Sequence, residues 1–223
     1  MKRIAEFILK KYKIFREKKI KSKLGKCGIN NNIFHPILVS KPQNIFLDDY
    51  TLIQPYCKFI IYSGKFYLKK WSSLSCNCTI VTGNHRPTVG INQRLLGRLH
   101  INDKESDIIV EEDCWVGANV TLLSGTYIGR GSVVGACSLV NKKFPPYAVL
   151  VGIPAKIIAS KFTIDEIIDH EMKLYPPKDR LSKQYLEELF KTYYKDKPSI
   201  GTKNIPNDFL EKINNIDSMQ YSI

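Results

Sequence analysis

The sequence predicts a mainly β fold: a parallel solenoid flanked by an N-terminal helix and a C-terminal helical extension. Three observations carry that prediction. Aliphatic residues fall six apart at Val110, Val116, Leu122, Ile128, Val134 and Val140. A helix repeats every 3.6 residues and a strand every two, so neither keeps this beat. The position four residues after each aliphatic is small, as at Cys114, Val120, Thr126, Ser132 and Ser138. Gly117, Gly125, Gly129, Gly131 and Gly135, with Asn119, fall where tight corners are needed. A short segment that adds one face and buries one aliphatic side chain, repeated along the chain, is the unit of a stacked β-coil.

Residues 1–30 are expected to form a basic amphipathic helix. Residues 1–26 hold eleven Lys or Arg against Glu6 and Glu17, which is most of the net charge of +13. Ile4, Phe7, Ile8, Tyr12 and Phe15 share one helical face. Two roles fit: a cover on the open end of the solenoid, or a peripheral contact with an anionic membrane through residues 1–26. Charge confined to an arm argues against a nucleic-acid partner.

The solenoid is expected over residues 31–160. Its beat starts with Leu47, Ile53 and Phe59, breaks over 60–67, and resumes at Leu68, Leu74 and Ile80. A second break over 84–107, polar and basic, reads as a loop extruded from one corner, and loops of that length in compact domains are usually functional. Residues 144–156, from Phe144-Pro145-Pro146 through Gly152-Ile153-Pro154-Ala155-Lys156, are expected to end the solenoid, because two prolines remove ladder donors.

Residues 161–223 turn helical. Thr163 and Glu166 fit a capping box before Ile164, Ile167 and Ile168. Tyr185, Leu186, Leu189, Phe190 and Tyr193 form a second apolar stripe, and His170 falls on a solvated face. The end of the chain is polar and weakly patterned. Six cysteines without a CxxC pair, four of them inside the repeat, are expected to be reduced. No run of apolar residues is long enough to span a membrane, and the N-terminus lacks a secretory apolar region. A cytoplasmic location is therefore expected, with contact at the inner membrane face as an addition.

Over Asp107–Lys156 the chain reads Trp115-Val116-Gly117, Gly135-Ala136-Cys137-Ser138 and Gly152-Ile153-Pro154-Ala155-Lys156, and upstream Ile80-Val81-Thr82-Gly83-Asn84-His85. These runs resemble the hexapeptide-repeat acyltransferases, a left-handed parallel β-helix family, and most of all its sugar and xenobiotic O-acetyltransferases. The resemblance covers roughly residues 45–160 and is specific for fold and acyl transfer, not for the acceptor. It implies acetyl-coenzyme A as co-substrate, no metal, direct transfer without an acyl-enzyme, and a homotrimer with sites shared between subunits.

His85 matches the family's catalytic base, and a histidine suits proton removal from a hydroxyl near neutral pH. The resemblance assigns coenzyme A contacts to Trp115, Gly117, Ala118, Gly135, Ala136, Asn141, Lys142, Pro154 and Lys156. The chain departs from it at Ala159, where some relatives carry a second basic residue, so phosphate recognition is expected to rest on Lys156 and Lys161. Asn84, Arg86 and His100 are candidates for contact with a saccharide acceptor; Arg94 and Arg98 lie in the same loop. Each has a plainer reading: small residues pack hexads, and loop charges are usually solvated.

Alternatives stay open. An N-acetyltransferase of an amino sugar, a xenobiotic or antibiotic acetyltransferase, and a non-catalytic solenoid scaffold share the fold. A γ-type carbonic anhydrase would need three histidines on zinc, and no histidine pair lies at coil spacing. The reading that fits best is O-acetylation of a saccharide hydroxyl during surface or capsular polysaccharide assembly.

Overall fold

The computed structural model describes residues 2–207, 209 and 210. Short parallel strands build three sheets of six, seven and five strands, and the chain visits them in rotation. Each circuit is one triangular coil. Equivalent inward positions stack in register: Leu47, Leu68, Val110, Ile128 and Phe144 on the first face. Ile33, Ile53, Leu74, Val116, Val134 and Leu150 line the second, and Phe59, Ile80, Leu122 and Val140 the third. Every one of these side chains is at most 4% exposed. Full burial of such a side chain stabilises by about 1.5–3 kcal/mol, so three columns of them hold the coils together.

The small residues also bond between coils. Ser72 Oγ accepts from Cys114 N at 2.9 Å, Ser132 Oγ from Ala148 N at 3.1 Å, and Thr126 Oγ1 donates to Val140 O at 2.9 Å. The corner glycines divide into two kinds. Gly125 and Gly131 take positive φ, as do Asp113, Asn119 and Cys137. Gly117 does not; a Cβ there would lie 2.7 Å from Ala136 N and Val134 O, so its need is close approach of coils.

The ladder starts at Lys26–Cys27, ahead of the expected boundary at 31, and pairs with Ile45–Leu47. It also runs past the prolines. Lys143–Phe144 and Ala148–Gly152 still pair with the preceding coil, because Pro145-Pro146 occupy a corner, where no ladder donor is needed. The end comes at Gly152–Pro154, inside the expected 144–156, where the chain reverses into an antiparallel strand, Ala155–Ser160.

Helix α1 (Lys2–Lys21) precedes the first coil. Ile20 packs on the solenoid core, whereas Phe7, Tyr12 and Phe15 are more than half exposed. In the expected loop the structure holds α2 (Gln93–Leu99), capped by the Asn92 side chain and ending at His100 in the left-handed region. Leu96 is fully buried and anchors it. After the solenoid come α3 (Ile164–Leu174), with the full Thr163–Glu166 capping box, and α4 (Lys183–Leu189).

Of the second apolar stripe, Leu186 and Leu189 are buried while Tyr185 and Tyr193 remain exposed. His170 is not on a solvated face; it pairs with Asp113 at 3.2 Å and is half-buried. Cys57, Cys78 and Cys114 are buried, but Cys76 and Cys137 are exposed rather than filling the corners; all six cysteines are free. The chain's polar end lies largely outside the described residues.

Candidate functional site

The strand Thr79–Val81 on the third face leads into the long loop, and the chain rejoins the first face at Ile108–Val110. Successive coils are eighteen residues apart from Val110 to Ile128 but forty-two apart from Leu68 to Val110, so the loop is inserted at one corner without disturbing the ladder. Its return is fixed by two carboxylates. Glu105 Oε2 accepts from Ser63 N, Gly64 N and Thr82 Oγ1 at 2.7–2.9 Å, and Asp107 Oδ1 accepts from Lys65 N at 2.8 Å. The two interruptions of the hexad beat thus serve one purpose. The first, around residues 62–65, supplies backbone donors that clamp the second.

The clamp seats the histidines. His85 Nδ1 lies 3.1 Å from Asp103 Oδ2, and His100 Nδ1 lies 2.9 Å from the same oxygen. His100 stacks face to face on Tyr62, centroids 3.8 Å apart. Burial opposes the charge on Asp103, but hydrogen bonds from His100 and then His85 outweigh it and hold the carboxyl below its ordinary pKa. An ionised Asp103 accepts, so both rings donate from Nδ1. In a neutral ring held this way the lone pair falls on Nε2, and the His85 side chain is 46% exposed.

Asp103, Tyr62 and Glu105 were missed in the sequence. The His100-x-x-Asp103 spacing across a helix end is the one local signal that pointed toward Asp103. Asn84 and Arg86 flank His85 and are exposed, as are Arg94 and Arg98.

The residues expected to meet coenzyme A stand mainly elsewhere. Gly117, Ala118, Gly135 and Ala136 stack at the corner between the second and third faces, joined by Gly117 N to Val134 O and Cys137 N to Ala118 O at 2.8 and 2.9 Å. Trp115, on the outer side of the second face, is 61% exposed. The closing hairpin with Pro154 and Lys156 leans on that corner, since Gly152 N donates to Ser138 Oγ at 3.1 Å. Asn141 and Lys142 lie at the other corner, the one from which the loop leaves. Lys161 pairs with Asp113 at 2.8 Å. A face of five or six residues separates the corners by roughly 15–20 Å. One chain therefore does not bring His85 to the Gly117–Ala136 corner.

Residues 107–142 match the model of a family described as bacterial transferase hexapeptide (six repeats). That stretch of the chain carries the family's repeats. WbbJ of Escherichia coli (strain K12), named provisionally as a lipopolysaccharide biosynthesis O-acetyl transferase, is 42% identical over 72 residues, 32% of this chain and 33% of its own. The chain spans about a third of the length of curated relatives such as this one. A maltose O-acetyltransferase from Clostridium difficile 630 is similar in structure, with TM-score 0.57, 27% identity, and coverage of 65% of this chain and 74% of that one. A hexapeptide-repeat acetyltransferase from Vibrio cholerae, complexed with acetyl-coenzyme A, has TM-score 0.55 and 25% identity over 63% and 73% of the two chains.

Proposed function

We propose that this protein is an acetyl-coenzyme A-dependent O-acetyltransferase acting on a saccharide hydroxyl. The observation that carries this reading is the His85–Asp103 pair, which presents a free Nε2 at the rim of a hexad solenoid. Nε2 takes the proton of the acceptor hydroxyl as its oxygen attacks the thioester carbonyl carbon. The tetrahedral oxyanion collapses, the C–S bond breaks, and the imidazolium returns its proton to the leaving thiolate, giving the acetyl ester and coenzyme A. No acyl-enzyme is needed.

Coenzyme A lies along the Gly117–Ala118 and Gly135–Ala136 corner, with Lys156 toward its phosphates. Because that corner and His85 are apart in one chain, the complete site forms between copies, in a homotrimer of left-handed β-helices. The names of the O-acetyl transferases above support a saccharide, and with it surface polysaccharide assembly in the cytoplasm. The test is free-thiol release from acetyl-coenzyme A with a panel of sugars and amino sugars. Release stimulated by a sugar hydroxyl is expected. Stimulation by amino sugars alone would replace O- with N-acetylation, and no release with any acceptor would overturn the reading.

Helix α1 belongs to the same proposal as a peripheral contact with anionic lipid. Exposed Phe7, Tyr12 and Phe15 stand among its basic residues, and none of the three packs on the solenoid core. Such a helix lies in the interface plane, drawn by apolar burial and by charge. Sedimentation with phosphatidylserine vesicles is expected for the full chain and not after deletion of residues 1–21; equal sedimentation of both would refute the contact.

A further inference from the structure

The loop cluster has a capacity that acyl transfer does not use. Two imidazoles and one carboxylate converge there, with ligand atoms all within 4.8 Å of one another. Asp103 is only 7% exposed, and while Oδ2 accepts from both rings, its Oδ1 is buried without a hydrogen-bond partner among the described residues. A buried carboxylate oxygen left unpaired costs free energy that a cation would recover. The separations of 2.9 and 3.1 Å between ring nitrogens and Oδ2 matter as well. Donors around a tetrahedral metal at 2.0–2.2 Å stand roughly 3.3–3.6 Å apart, so an ion is admitted when each nitrogen–Oδ2 separation opens by a few tenths of an ångström and the two ring nitrogens, which lie within 4.8 Å of each other, take the same spacing. His85, nearly half exposed, leaves the cluster open to entering ions.

We propose that His85, His100 and Asp103 form a binding site for a divalent d-block cation, best matched by Zn²⁺, whose occupation switches off His85 as a base. Two nitrogen donors and one carboxylate favour such ions over Mg²⁺ or Ca²⁺, which seek oxygen. The metal takes the Nδ1 lone pair of each ring, and each ring proton moves from Nδ1 to Nε2. Both rings stay neutral and no proton is lost. His85 Nε2 then carries hydrogen and cannot accept the acceptor's proton. Water completes the coordination. Cation binding stands independently of the acetyltransferase reading; only the inhibition rests on it.

The full chain, freed of metal with a chelator, is titrated with Co²⁺, and binding is read from its ligand-field absorption. One equivalent per chain is expected. In His100→Ala and Asp103→Asn the affinity is expected to fall at least about 10-fold, since even residues that only support metal ligands are worth 10–100-fold. Asparagine keeps a carbonyl that can accept a ring N–H, so the loop stays seated, and circular dichroism melts establish that both variants fold. No Co²⁺ binding by wild type, or equal affinity in wild type and both variants, would overturn the site. Zn²⁺ is also expected to suppress acetyl transfer reversibly, with chelator restoring it. Equal suppression in Asp103→Asn would sink the coupling between site and base. A chain without any acetyl transfer would still give a decisive Co²⁺ titration.

Discussion

Replacing His85 with alanine is expected to lower turnover in acetyl transfer by about 10²–10⁴-fold, the usual contribution of a positioned general base. In barrier height that is about 2.7–5.4 kcal/mol. The reason lies in the tautomer. Asp103 Oδ2 lies 3.1 Å from Nδ1, a contact that favours the tautomer with hydrogen on Nδ1 and the lone pair on Nε2. Alanine removes the lone pair but leaves the distant Gly117–Ala136 corner untouched, so KM for acetyl-coenzyme A is expected to change little. Steady-state kinetics of thiol release separate the two effects. Wild-type turnover in the variant would refute the base assignment, whereas a rise in KM at constant turnover would make His85 a binding residue.

The largest expected loss of stability follows from Glu171→Ala. Glu171 is 1% exposed and sits between the solenoid and its helical extension. Its carboxylate accepts from Tyr147 Oη at 2.8 Å, Arg130 Nη1 at 3.2 Å and Leu181 N at 3.1 Å. Alanine strands a phenol and a backbone N–H in a buried setting. Breaking a buried pair costs 3–5 kcal/mol, but Arg130 keeps Glu112 at 2.9 Å and is 18% exposed, so about 2–4 kcal/mol is expected. Urea unfolding of the two proteins measures it. A loss under about 0.5 kcal/mol, the scale of ordinary surface substitutions, would show that Ile167 and Leu186 alone dock the helices.

The partners of this polar node were not legible beforehand, although its burial was. Glu171 lies in a charged run, Asp169-His170-Glu171, yet the helical period places it, unlike its two neighbours, on the face of Ile164, Ile167 and Ile168. Only the docking of α3 on the corner with Arg130 and Tyr147 brings those partners to it. His170 was misjudged because its partner is remote. With Lys161 it converges on Asp113, an acidic corner residue 57 residues from His170 and 48 from Lys161 in sequence. Ion pairs of that separation leave no periodic trace.

The solenoid, by contrast, was legible from spacing, because each six-residue unit makes the same local decision. One inward aliphatic, one small residue and one corner recur, and neighbouring coils repeat the arrangement in register. That repetition also located the inserted loop, as a gap in the beat, and the capping box located the start of α3. By itself, then, the sequence determined the coil, its core and the histidine at its rim. The tertiary structure decided what that histidine meets. Asp103 reaches His85 only because Glu105 and Asp107 bind backbone N–H groups of residues 63–65, closing a loop whose ends are set by the coil and whose interior follows no period. Side-chain periodicity encodes which residues face inward; it does not encode which loop residues a folded corner brings together.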